Sequence, residues 1–98
     1  MDKSELLGSL KAKGFPDKII DAFSKVKREN FAPEKFALYS YEDIALPLDD
    51  GSTISQPNTI ALMLSLLELK QEQKILEIGS GSGYVLALIS EIIKTGKI

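Results

Sequence analysis

The sequence has no cysteine and no histidine among its 98 residues. Without cysteine there is no disulfide, no thiolate ligand and no thiol redox chemistry. Without histidine, a Ser-His-Asp triad, an imidazole base and a Cys/His metal centre are excluded within the chain, so no metal is expected. An excess of one charge is lacking too. The formal net charge is −2, which gives no general electrostatic basis for nucleic acid or an anionic membrane as partner. No apolar run reaches the roughly 18 residues of a membrane span, and the polar N-terminus has no signal-peptide core. Those absences are compatible with the cytosol, and a cytoplasmic protein is the expectation. Repeats and low-complexity segments are absent as well. Hydrophobic residues make up 44%, which is a globular rather than a disordered composition, and the length suits one small domain.

What is present centres on Lys74-Ile75-Leu76-Glu77-Ile78-Gly79-Ser80-Gly81-Ser82-Gly83-Tyr84. Ile75, Leu76 and Ile78 predict a short buried strand with one carboxylate near its end. Gly79, Gly81 and Gly83 then fall at every second position, and Val85, Leu86, Leu88, Ile89, Ile92 and Ile93 continue as a helix. Strand, glycine loop and helix open a nucleotide-binding α/β unit. Glycines permit backbone angles that a Cβ forbids and let a ligand approach the main chain. The helix start offers unpaired N–H groups and a positive dipole end. A dinucleotide fingerprint needs its third glycine where Tyr84 stands, and a phosphate-binding loop needs Lys after Gly83, so neither pattern is met. A glycine-rich turn with no ligand is the plain alternative. For Glu77 that alternative is a charge at a strand end in solvent.

Upstream, Leu6, Leu7 and Leu10 line one face of a helix over Asp2 to Lys13, which Gly14 stops. Pro16 opens a second helix carrying Ile19, Ile20, Phe23 and Val26. The two helices read as a packed pair whose charges, including Lys25, Lys27 and Arg28, are solvated. Pro33 can begin a short helix through Tyr39, with Phe31 and Phe36 in the core. Pro47 makes Ala45 to Leu48 an extended, edge-like segment, because it cannot donate to a ladder. Asp49, Asp50 and Gly51 are turn residues, not a catalytic carboxylate pair. Ser55 predicts a helix cap with Pro57 in the first turn. The helix that follows, to Leu69, is apolar on nearly every side, as expected between two layers of structure. Lys70 to Lys74 form a polar turn.

The acidic-apolar-Gly-x-Gly-x-Gly pattern resembles the first motif of S-adenosylmethionine-dependent methyltransferases. The resemblance becomes specific when other blocks are included. Gly51-Ser52-Thr53-Ile54-Ser55-Gln56-Pro57, followed by Ala61 and Met63, resembles the signature loop and helix of the protein-L-isoaspartate O-methyltransferase family. Arg28-Glu29-Asn30-Phe31-Ala32-Pro33, then Tyr41, Asp43 and Leu46-Pro47-Leu48, resemble its upstream segments. Leu76 to Tyr84 resembles its cofactor motif, the tyrosine included. The blocks stand in family order over roughly residues 20 to 98.

The resemblance implies an α/β fold, the N-terminal portion of a Rossmann-like methyltransferase, helix-dominated over these residues. It implies a helical subdomain with an extended segment over residues 1–50 and the start of an S-adenosylmethionine-binding domain over 51–98. The implied reaction transfers a methyl group from S-adenosylmethionine to the carboxylate of L-isoaspartyl residues in damaged proteins or peptides. A carboxylate is already an anion at pH 7, so positioning and desolvation can supply most of the acceleration without histidine. Ser55 is the implied catalytic serine. Thr53, Ile54, Ser55, Glu77, Gly79, Ser80, Gly81 and Gly83 are the implied cofactor-binding residues. Family members are longer, and the acid that binds the ribose is expected about 20 residues past the glycine loop, beyond Ile98. Activity of these residues alone is therefore a separate question. The alternatives are another S-adenosylmethionine-dependent methyltransferase, or an inactive, self-associating homo-oligomer whose helices lack a sheet to cover.

Overall fold

Asp2 starts the first helix, α1 (Lys3–Ala12), through a reciprocal capping box. Its carboxylate accepts from the Glu5 amide at 2.8 Å, and the Glu5 carboxylate accepts from the Asp2 amide at 3.2 Å. Leu6 and Leu10, one turn apart, are both buried. Gly14, at φ +85°, then reverses the chain. Pro16 caps α2 (Asp17–Lys25), which buries Ile19, Ala22 and Phe23. The computed structural model describes residues 1–76 and 81–94.

Two 3₁₀ turns follow, Arg28–Phe31 and Glu34–Tyr39, with Pro33 between them. The helix expected after Pro33 forms, but in this tighter geometry. Phe31 and Phe36 are half-buried against the core rather than inside it. Short 3₁₀ turns offer no continuous apolar stripe, and the interior beside Phe31 is filled by Tyr84, which is 2% exposed.

Strands β1 (Leu46–Pro47) and β2 (Thr53–Ile54) pair antiparallel, with Leu46 opposite Ile54 and Pro47 opposite Thr53. The period-two alternation buries Leu46 and Ile54 and leaves Pro47 and Thr53 outside. The Leu48 amide donates to the Ser52 carbonyl at 2.8 Å, and Gly51, at φ +87°, closes the turn. Pro47 thus stands on a sheet edge, where its missing N–H is tolerated.

Helix α3 (Pro57–Leu67) buries Pro57, Ile60, Ala61 and Leu64. It stops two residues before the expected Leu69, at Glu68, whose backbone is left-handed. The Lys18 ammonium donates to the Leu69 carbonyl at 2.7 Å just beyond. The expected covering on two sides is not seen: Leu62, Met63, Leu66 and Leu67 are all more than half exposed. Helix α4 (Tyr84–Ile92) starts one residue earlier than expected and buries Tyr84, Leu88, Ile89 and Ile92. The strand expected at Ile75 to Ile78 is not present over Ile75 and Leu76, and Leu76 is 85% exposed. A buried parallel strand needs neighbours for its N–H and C=O groups, and among the described residues the β1–β2 hairpin is the only sheet. Glu77 and Ile78 lie outside the described residues. Helix α2 is the common partner in the core, since α1, α3 and α4 all pack on it.

Candidate functional site

The segment Thr53-Ile54-Ser55-Gln56 leaves β2 and enters α3. The expectation that Ser55 caps this helix is corrected: Gln56 is the N-cap residue, and no side-chain bond comes from it. Pro57 holds the first helical position and has no N–H, so Asn58 carries the first available donor. Its amide donates to Asp43 Oδ1 at 2.9 Å, and its side-chain amide donates to Asp43 Oδ2. Asp43 therefore does the capping from across the hairpin, and the exposed Ser55 side chain is not needed for it. Thr53 is likewise exposed, whereas Ile54 is 5% exposed and turned into the core, so only its main chain is placed to meet a ligand.

Arg28 corrects a second expectation. Instead of lying on a solvated face it is 0% exposed. Its Nη2 donates to the Ile44 carbonyl at 2.9 Å and to the Ser55 carbonyl at 3.3 Å. Its guanidinium carbon lies 5.6 Å from the centre of the Tyr84 ring, a cation–π contact. Nε and Nη1 have no hydrogen-bond partner among the described residues, and no carboxylate there forms an ion pair with it. Burial lowers the Arg28 pKa, while Tyr84, Asp43 and Tyr41 pull it back up. Guanidinium starts so far above neutrality that it stays charged. Burying such an ion costs several kcal/mol, on the order of a structure's whole margin of stability.

Tyr84, whose ring meets this cation, directly follows the glycine turn. Gly81 and Gly83 have φ of +57° and +86°, angles that a side chain rarely adopts. Gly83 is the N-cap of α4, and no side chain caps that helix among the described residues. Among the described residues, a Cβ built on Gly83 would meet nothing within 4 Å, and one on Gly81 would sit 3.9 Å from Leu48 Cδ1. Gly81 therefore lies beside the hairpin, and among the described residues Gly83 has room where a side chain would stand. Tyr84 anchors the turn, its ring 6.3 Å from that of Phe23 and 5.5 Å from that of Phe31. Burial pushes the Tyr84 hydroxyl pKa up to about 12, with Arg28 opposing and Glu29 adding to the rise. Nearby, burial and a 2.5 Å hydrogen bond donated to Glu29 push the Tyr41 hydroxyl well above its usual range.

Arg28 thus touches both the Ser55 main chain and the ring of Tyr84, the residue that directly follows Gly83. Of the expected cofactor residues, Thr53, Ile54, Ser55, Gly81 and Gly83 are described, whereas Glu77, Gly79 and Ser80 lie outside the described residues. Among the described residues no cluster of His, Cys, Asp or Glu could hold a metal ion, and no helix is long and apolar enough to cross a membrane. Arg28 and Asp43 were not singled out by their chemistry. The one available signal was their place in the blocks before the hairpin.

A family model described as protein-L-isoaspartate(D-aspartate) O-methyltransferase matches residues 1–98. The chain belongs to the protein-L-isoaspartate O-methyltransferase family. It is 51% identical over 86 residues to the protein-L-isoaspartate O-methyltransferase of Petrotoga mobilis, covering 87% of this chain and 40% of that protein. It is 44% identical over 95 residues to the one of Korarchaeum cryptofilum, covering 95% of this chain and 43% of that protein. A solved structure titled protein-L-isoaspartate O-methyltransferase superposes with a TM-score of 0.83 at 38% identity, over 97% of this chain and 32% of that one. The chain therefore spans less than half the length of these relatives and corresponds to their N-terminal part. The expected fold class holds: this is the N-terminal portion of a Rossmann-like methyltransferase fold, helix-rich with a small sheet.

Proposed function

We propose that this chain forms the N-terminal part of a repair enzyme that transfers a methyl group from S-adenosylmethionine to the carboxylate of L-isoaspartyl residues in proteins. The observation that supports this reading is that Arg28 holds the Ser55 carbonyl and meets the ring of Tyr84, which directly follows the left-handed Gly81 and Gly83. That turn suits the cofactor, because two of its three residues lack a Cβ and it leads into a helix start that no described side chain caps. When bound, S-adenosylmethionine supplies an electrophilic methyl group on a sulfonium. Residues of the chain would orient the partners: the glycine turn main chain against the cofactor with Glu77, Gly79 and Ser80, and the Thr53 to Ser55 main chain beside it. The Ser55 hydroxyl, free of capping duty, would donate to the reacting carboxylate. The same reading assigns residues 1–50 to a helical subdomain and 51–98 to the start of the cofactor domain.

The test supplies the length that this chain does not span. Combined with the C-terminal portion of the Petrotoga mobilis relative, the chain is expected to methylate an isoaspartyl peptide. Ser55→Ala should then lower kcat more than cofactor affinity, and Gly81→Val, a β-branched residue at positive φ, should abolish cofactor binding. Methylation of small molecules without competition by an isoaspartyl peptide would move the assignment to another methyltransferase class. The exposed Leu62, Met63 and Leu66 support one further reading, self-association of the chain through α3. Sedimentation that finds a monomer at high concentration would remove it.

A further inference from the structure

We propose that Arg28 is a positioning residue, a buried clamp that fixes the Ser55 main chain relative to the glycine turn. Its catalytic consequence rests on the proposed function, and its structural part stands alone. Ile44 lies just before β1 and Ser55 just after β2, so their carbonyls flank the open end of the hairpin. One nitrogen, Arg28 Nη2, donates to both. The remaining plane of the guanidinium lies by Tyr84, the first residue of α4 and the one that follows the Gly83 cap. A single side chain therefore touches the exit of the hairpin, the entry to α3 and the entry to α4. Asp43 reinforces the same corner by holding Asn58, the next donor along α3.

Stability alone does not explain an arginine here. A fully buried cation without an ion-paired carboxylate among the described residues is compensated by carbonyl dipoles, an aromatic face and the more distant charge of Asp43. Apolar residues of similar volume commonly stabilise a core as well or better than a buried ion. What the guanidinium adds is geometry: a planar group of fixed reach that hydrogen-bonds to two carbonyls while its charge meets an aromatic ring. Because the Ser55 carbonyl is held and its side chain is exposed, the clamp sets where the hydroxyl stands without using it.

The test compares the 98-residue chain with its Arg28→Met and Arg28→Lys variants and with Leu10→Ala as a control for a merely destabilised core. In the unaltered chain, NMR should show a resolved, slowly exchanging Arg28 guanidinium signal. In Arg28→Met the Ser55 and Ile44 carbonyl resonances and those of Gly83 and Tyr84 should shift together, while α1 resonances stay in place. Lysine keeps the charge but is one bond shorter and lacks the planar fork, so Arg28→Lys should show the same shifts; it also serves as the readout if Arg28→Met does not fold. In the complemented enzyme either variant should lose on the order of tenfold to a hundredfold in kcat, with KM for the peptide within about twofold. Leu10→Ala should leave both kcat and the Ser55 resonances unchanged in its folded fraction. The clamp is overturned if Ser55 and Tyr84 resonances do not move in the arginine variants, if lysine restores them fully, or if Leu10→Ala moves them equally. Shifts as expected in a chain whose complemented form methylates nothing would retain the clamp and remove the methyltransfer reading.

Discussion

Along α4, Leu88 is fully buried and Ile89 and Ile92 nearly so, whereas on α3 Leu66 is 74% exposed with Leu62, Met63 and Leu67 beside it. Both helices are rich in leucine and isoleucine, and both are short. Helix α4 lies against α2 and is covered by the helical layer. Helix α3 touches α2 with the Ile60–Ala61–Leu64 face and turns its other face outward. Apolar composition therefore sets that a helix seeks cover, but the number of faces covered depends on which neighbours reach it.

The sharpest way to break this comparison is to remove one leucine from each helix. Leu88→Ala should destabilise the chain by about 2–5 kcal/mol, as a cavity in a packed core does. Leu66→Ala should change stability by no more than about 0.5 kcal/mol. Equal effects in denaturant unfolding would show that the two helices are covered alike. A smaller effect separates two residues at the start of α3. Asp43→Ala should cost about 1–2 kcal/mol by freeing the Asn58 donors, whereas Ser55→Ala should leave stability within about 0.5 kcal/mol. A loss on Ser55→Ala as large as that on Asp43→Ala would return Ser55 to the role of a cap.

The smallest effect concerns pH and the hairpin turn. The Ser52 hydroxyl and amide both donate to Asp50, at 2.5 and 2.9 Å, and hold its pKa below the ordinary 3.8. A carboxylate with a lowered folded pKa stabilises above its unfolded pKa, and that contribution fades as pH falls through the folded value. The turn resonances of Gly51 and Ser52 should therefore hold steady above about pH 4 and shift only below it. In Asp50→Asn that acid shift should vanish.

Much of the local structure was legible because it depends on neighbours in sequence. Asp2 and Glu5 are three residues apart and cap α1 by themselves. Gly14, Pro16 and the Asp49–Gly51 turn act through backbone angles that their own chemistry sets. Gly81 and Gly83 adopt the left-handed angles that their spacing before a helix suggested. The block pattern also identified the family, since each block carries several residues at fixed spacing.

Tertiary structure decided the rest, because those outcomes depend on partners distant in sequence. Ser55 looked like the cap of α3, but Asp43, 15 residues away, reached the Asn58 donors. Arg28 looked solvated, yet the carbonyls of Ile44 and Ser55 and the ring of Tyr84 converge on it, the last from the far end of the chain. The chain itself determined where glycine frees the backbone and where serine presents a hydroxyl. That the serine segment and the first residue of α4 share one buried cation was decided only by folding, which brought residues 27 and 56 positions from Arg28 onto its side chain.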